Sequence, residues 1–146
     1  MSRRAAREAA LRALFQIDVG RSSAQRALEY NLEEMQIPER DRPFVTALVT
    51  GTVERLEELD GVIQRFAERW SVDRMARTDR NILRLAIYEI LYVDDIPPSV
   101  SVNEAVELAK EYGDADSPRF INGVLGSVVR SLAGVPEAGR DGDDQA

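Results

Sequence analysis

Apolar residues recur at intervals of three and four along most of the chain, the spacing that places them on one face of an α-helix. The first such stripe runs through residues 3–19 and includes Ala6, Ala10, Leu14 and Ile17. Comparable stripes predict helices at about 24–36 and 39–58, from Asp60 to Trp70, over 79–93, and twice more in the last third. No segment shows the two-residue alternation of a β-strand. We therefore predict an all-α fold of about seven helices in an antiparallel array.

The segment 79–93 differs from the others because its apolar residues cover nearly every direction around a helix. A helix that is apolar all round is buried, so this segment is predicted to lie at the centre of the fold. Gly51 stands inside the apolar stripe of 39–58, where glycine costs about 1 kcal/mol relative to alanine. This position is therefore predicted to allow a close contact with another helix.

Prolines and polar residues divide the last third of the chain. Two prolines at 97–98 end the central helix, and Ser101–Glu104 has the spacing of a capping box at the start of the next one. Asp116 or Ser117 is expected to cap the last helix, with Pro118 at its first position.

The chain becomes polar and acidic from Val135 onwards. We expect one helical domain over residues 1–134 and a disordered acidic tail over 135–146.

Two missing residue types narrow the range of functions. The 146-residue chain contains no cysteine and no histidine. Disulfides, cysteine or histidine metal ligands, cysteine nucleophiles and histidine bases are thereby excluded. We expect a protein without metal, cofactor or catalytic residues. No apolar run could cross a bilayer and the N-terminus lacks the apolar stretch of a signal peptide, so we expect a cytoplasmic protein without membrane contact.

The charge is distributed unevenly. The net charge is −7, yet residues 1–13 carry Arg3, Arg4, Arg7 and Arg12 against the single Glu8. A basic end on an acidic body suggests two surfaces for two partners, one of them a phosphate chain. The alternative is a solvated helix face with pairs between Arg4 and Glu8 and between Glu8 and Arg12.

A second candidate site lies at the start of the last helix. Free N–H groups at a helix start attract anions, Arg119 adds positive charge, and Phe120 could stack on a base. The alternative is an ordinary capped helix with Phe120 in the core. Asp73 and Asp79 flank the start of the central helix, where acidic residues favour the helix dipole but could also meet a basic partner.

Four stretches in this order and spacing resemble the NusB family of transcription antitermination factors. The resemblance runs from Arg3 to about Leu132. The stretches are Arg4–Phe15, Phe44–Gly51, Asp79–Glu89 and Pro97–Leu125, the last containing Asn103-Glu-Ala-Val-Glu-Leu-Ala-Lys110.

The resemblance implies two crossed antiparallel bundles of helices that share one core. It also implies binding to the single-stranded boxA element of nascent RNA as a heterodimer with the ribosomal protein NusE. The complex would join the transcription elongation complex and suppress termination in ribosomal RNA operons. Carried over by position, the RNA-binding residues are Arg3, Arg4, Arg7, Phe15, Asp116, Ser117, Arg119 and Phe120, and the partner-binding residues are Asp73 and Asp79.

Of three competing hypotheses, the first fails on the length of the chain and the other two remain. A domain fused to an RNA methyltransferase would need a cofactor-binding domain for which this chain has no room. An acidic protein–protein adaptor would not touch RNA, and a homodimer could hide the RNA surface. Ala5, Ala6 and Pro118 stand where relatives often carry basic or longer polar residues, which favours partner-assisted RNA binding.

Overall fold

The computed structural model describes residues 3–20 and 22–134, and this part of the chain is all-helical, as predicted. The seven α-helices described are α1 Arg4–Val19, α2 Ala24–Glu34, α3 Arg42–Glu54, α4 Leu56–Phe66, α5 Arg77–Tyr92, α6 Pro98–Tyr112 and α7 Ser117–Leu132. Short 3₁₀ turns precede α3 at Glu39–Asp41 and α5 at Val72–Arg74. None of the described helices is long and apolar enough to cross a membrane. The predicted acidic tail, 135–146, lies outside the described residues.

Helix α5 occupies the centre, as its apolar sequence predicted. Residues 81–87 are buried without interruption, and α5 packs against α1, α3, α4, α6 and α7. Most of the remaining contacts fall within two groups of helices, α1 with α2 and α3, and α7 with α4 and α6, while α3 and α4 touch only slightly. Because α5 touches members of both groups, one continuous core joins them.

Gly51 permits the close helix contact that its position predicted. A Cβ atom at Gly51 would overlap the ring of Tyr88 on α5. The missing side chain therefore lets α3 approach α5, which explains a glycine within a helix.

The predicted helix over 39–58 is wrong in its boundaries. The chain forms a 3₁₀ turn first, and α3 then ends at Glu54. Arg55 leaves helical geometry with φ −120° and ψ 24°, and α4 starts at Leu56. Asp60 is consequently inside α4, where it accepts hydrogen bonds from Arg84 rather than capping a helix. Trp70 lies beyond the end of α4 and is 56% exposed.

The predicted capping box at Ser101–Glu104 is also wrong. Helix α6 already starts at Pro98, so Ser101 lies inside the helix, is buried, and donates a hydrogen bond to Glu89. Helix α7 starts at Ser117, but the capping oxygen belongs to Asp114, which accepts from the backbone N–H groups of Asp116 and Ser117.

A hydrogen-bonded ion cluster joins α1, α4 and α5. The Asp18 carboxylate accepts from Arg80 at 2.7 and 2.8 Å and from Asn81 at 2.8 Å. Arg84 lies 3.4 Å from Asp18 and makes a bidentate contact with Asp60 at 2.7 and 2.8 Å. Burial alone would raise the pKa of Asp18, but the hydrogen bonds from Arg80 and Asn81 and the positive charges of Arg80 and Arg84 outweigh it and lower the pKa.

We expect Asp18→Asn to lower the free energy of unfolding by about 3 kcal/mol, because it leaves two partly buried arginines without their shared carboxylate. The stability that Asp18 contributes is present above its unfolded pKa of about 3.9 and is lost as the pH falls through the lower folded pKa. Urea unfolding at pH 7 and pH 3 measures both effects, with the exposed Asp95→Asn as control. Equal stability of Asp18→Asn and the parent at pH 7 would contradict the assignment.

Candidate RNA-binding surface

The start of α1 carries two exposed arginines in different settings. The guanidinium of Arg3 lies 4.1 Å from the ring centre of Phe44 on α3. Arg4 makes a bidentate ion pair with Glu104 on α6, with N–O distances of 3.1 and 3.0 Å. The hydrogen bond from Arg4 is the main cause that lowers the pKa of Glu104. Exposed ion pairs contribute about 0–1 kcal/mol, so Arg4 can exchange Glu104 for a phosphate at small cost.

Arg7, which the sequence placed among the RNA contacts, lies in the interior. Its side chain is 5% exposed and forms a bidentate ion pair with Glu89 at 2.8 and 2.9 Å. Ser101 donates a third hydrogen bond to the same carboxylate at 2.9 Å. The view of Arg7 as a surface cation beside Arg3 is therefore corrected, because its guanidinium is enclosed and satisfied by Glu89.

Phe15 lies further along α1 and is 38% exposed. It lines a groove of about 380 Å³ together with Arg12, Tyr30 and Tyr112. We call this space the aromatic groove. The guanidinium of Arg12 donates to the Tyr112 hydroxyl from two nitrogens, each at 3.2 Å. Phe15 is thus one of three aromatic rings beside one cation.

The start of α7 connects the predicted RNA segment with a predicted partner residue. Ser117 is buried, and its hydroxyl donates to Asp79 at 2.7 Å while accepting from the Asp114 backbone N–H at 3.0 Å. Burial raises the pKa of Asp79, the hydrogen bond from Ser117 lowers it, and the charge of Asp114 raises it, with a net upward shift. Ser117 therefore positions the two helix starts against each other.

Phe120 packs edge-on against Trp70, with ring centres 6.3 Å apart. These rings line a cleft of about 260 Å³ whose wall also includes Asp79 and Asp116. Phe120 is partly buried, while Asp116, Arg119 and Asp73 are exposed.

The two spaces flank the start of α5, since Thr78 lines the aromatic groove and Asp79 lines the cleft. The structure thus brings Phe15 and Phe120 to opposite sides of one helix end. Arg4 is more distant, because Arg4 pairs with Glu104 and Arg12 with Tyr112, and eight helical residues span about 12 Å. The exposed side chains of α1 therefore form an elongated surface along the helix.

Sequence reasoning missed three side chains of this surface: Tyr30, Trp70 and Tyr112. Trp70 and Tyr30 are exposed aromatic residues, 56% and 57%. The sequence placed Trp70 at the end of the apolar stripe of the predicted fourth helix and did not assign it to the site. Tyr30 adjoins the apolar stripe of α2 and could have been found as an aromatic residue outside it.

We expect Ser117→Ala to raise the pKa of Asp79 further and to lower the free energy of unfolding by about 1–3 kcal/mol, because a partly buried carboxylate loses its hydrogen-bond donor. Carboxyl-carbon NMR titration and urea unfolding measure the two changes, and the exposed Ser99→Ala serves as control. A variant with parental stability and an unchanged Asp79 pKa would show that this hydrogen bond does not position the helix starts.

Comparisons with known proteins agree with this architecture. The NusB family profile matches residues 4–130. The transcription antitermination protein NusB of Desulforamulus reducens is 50% identical over 129 residues, which cover 88% of this chain and 90% of that protein. The solved NusB of T. maritima has 37% identity and a TM-score of 0.83, covering 89% of this chain and 92% of that one. A chain from a crystal structure of the antitermination factors NusB and NusE with double-stranded RNA has 28% identity and a TM-score of 0.81, covering 88% and 96%. The chain belongs to the NusB family.

Proposed function

We propose that this protein is a transcription antitermination factor that binds boxA-type single-stranded nascent RNA as a heterodimer with NusE. The complex acts in the cytoplasm on the transcription elongation complex and suppresses termination in ribosomal RNA operons. The role is one of binding, with no chemical step assigned to the chain.

The observation that carries this proposal is the outward face of α1, where Arg3, Arg4 and Phe15 are all exposed. Arginine provides planar donors that match phosphate oxygens and stack on bases. An exposed aromatic ring on the same helix as these cations is a platform for an unpaired base, which a duplex does not offer. Single-stranded RNA therefore fits this face better than a paired helix does.

The individual side chains divide into three roles. Arg3, Arg4 and Arg119 supply phosphate contacts, and Phe15 or Phe120 contacts bases. Buried Arg7 fixes α1 in place instead of touching RNA. Ser117, which is bonded to Asp79, holds the second helix start, while the exposed Asp116 at the N-cap position of α7 is assigned to the RNA surface.

The acidic character of the chain explains the need for a partner. A net charge of −7 repels a polyanion, so a basic partner that covers acidic residues raises RNA affinity by electrostatics as well as by its own contacts. Asp73 and Asp79 lie at or just before the start of α5 and are the residues that we assign to NusE. Two relatives support the proposed role, though not particular residues: the D. reducens protein is named as a transcription antitermination protein, and the 28% identical chain was solved with NusE and double-stranded RNA.

We expect boxA-type single-stranded RNA to bind more tightly in the presence of NusE than in its absence. Fluorescence anisotropy of end-labelled RNA measures the affinity and its dependence on salt. The Arg3→Ala/Arg4→Ala variant should bind the RNA–NusE system at least about tenfold more weakly, with a salt slope reduced by about 1.4, because two phosphate contacts are lost.

The matched control is Arg55→Ala/Arg65→Ala, which removes one charge at the junction of α3 and α4 and one in the last turn of α4, neither of them assigned to RNA. Unaltered affinity and slope for Arg3→Ala/Arg4→Ala would remove the α1 assignment. NusE binding without any RNA binding or crosslinking would favour the adaptor hypothesis. If the protein sediments as a dimer and binds RNA only after the dimer dissociates, the result would favour the homodimer hypothesis.

A further inference from the structure

The aromatic groove between α1, α2 and the end of α6 extends beyond the residues assigned above. Its volume is about 380 Å³, and Leu11, Arg12, Tyr30 and Tyr112 line it beside Phe15. Leu11 is buried at 3% exposure and belongs to the core. The groove thus combines one apolar core residue and the buried amide of Asn31 with three aromatic rings and an arginine.

Two aromatic rings of this groove are exposed to solvent and do not belong to the hydrophobic core. Tyr30 is 57% exposed and Phe15 is 38% exposed, so both offer ring area to solvent. One exposed aromatic residue is ordinary on a protein surface. Several aromatic residues that line the same groove, next to a guanidinium, form the kind of platform on which a flat ring stacks.

Arg12 is held at the edge of the groove instead of extending into solvent. Two of its nitrogens donate to the Tyr112 hydroxyl at 3.2 Å, and its guanidinium carbon lies 5.7 Å from the Tyr112 ring centre. These contacts limit the rotamers of a long side chain before any ligand arrives, which reduces the entropy lost on binding. Arg12 is therefore prepared to receive a ligand that has both a flat ring and a phosphate.

The charges of the groove identify which part of a nucleotide enters it. Among the described residues that line the groove, Arg12 is the one cation, and the exposed carboxylate of Glu34 also lines the wall. The two charges oppose each other, so the groove does not concentrate positive potential as a phosphate pocket would. An uncharged base fits the interior, while the adjacent phosphate remains at the Arg12 edge.

The groove is continuous with the surface proposed for RNA. Phe15 belongs to both, and Arg12 lies two helical turns after Arg4 on α1. A strand that contacts Arg4 and runs along α1 reaches Arg12 and then Tyr30. We propose that the aromatic groove binds one unpaired base of the RNA, with Tyr30 as a stacking platform and Arg12 as the contact for the adjacent phosphate. This inference rests on the proposed RNA-binding function.

The test uses the full-length protein with NusE and a set of single-stranded boxA-type RNAs, each carrying 2-aminopurine at a different position. Stacking on Tyr30 should quench 2-aminopurine fluorescence at one position. Tyr30→Leu should abolish that quenching and weaken RNA binding at least about fivefold. Tyr30→Phe keeps the ring and should retain both properties. Arg12→Ala should weaken binding and reduce the salt slope by about 0.7.

The control is Tyr92→Leu, which removes another partly exposed tyrosine at the far end of α5 and should bind RNA as the parent does. Thermal unfolding confirms that each variant is folded. Suppose that Tyr30→Leu keeps the parental affinity and quenching, while Arg3→Ala/Arg4→Ala still weakens RNA binding. That result would overturn the groove assignment but not the proposed function. Absence of RNA binding by the parent, with and without NusE, would overturn the proposed function and this inference together.

Discussion

The buried ion pair between Arg7 and Glu89 is the constraint on which the proposed RNA surface depends. It joins α1 to α5, and the hydrogen bond from Ser101 adds α6 to the same cluster. Two charges removed from water are costly unless their hydrogen bonds are satisfied, and here the bidentate geometry satisfies the carboxylate. Arg7 lies on the buried face of α1 together with Ala10 and Leu14, and the pair helps to hold that face inward, so that Arg4 and Phe15 face outward. Arg7, which the sequence placed among the exposed cations, is therefore a buried structural residue.

Helix α5 lies between the proposed RNA-binding surface and the residues assigned to NusE. Its middle is fully buried and holds both helix groups, while its start separates the aromatic groove from the Trp70–Phe120 cleft. Asp79 and Ser117 are bonded to each other at this point. A partner that contacts Asp79 would therefore lie directly beside the start of α7, which we assign to RNA binding. That proximity gives a physical route by which NusE could stabilise the RNA surface as well as add positive charge to it.

The periodic pattern was sufficient for the all-α class, the central helix and the close contact at Gly51, because each depends on local spacing or on one residue type. It was insufficient for Arg7, since the partner of Arg7 is 82 residues away in the sequence. The same limit applies to Arg4, which was weighed against Glu8 four residues away but pairs with Glu104. Ser101 has the spacing of a helix cap, but its hydroxyl donates a hydrogen bond to Glu89 instead. The end of α3 at Glu54 has no proline or glycine to mark it. For the candidate site, the sequence could identify the two segments at the starts of α1 and α7. It could not predict the aromatic groove, because the groove exists only once α1, α2 and α6 pack together.

The most direct test replaces the buried pair by apolar residues, in Arg7→Met/Glu89→Met, and measures the salt dependence of RNA binding in the presence of NusE. Buried ion pairs can often be exchanged for apolar side chains of similar volume without loss of folding. The two methionines fill the same space and keep α1 packed against α5, so if Arg7 only positions α1, the folded double variant keeps the parental affinity and salt slope. A slope reduced by about 0.7, the value for one lost phosphate contact on a single strand, would show that Arg7 itself binds the RNA and would contradict this account.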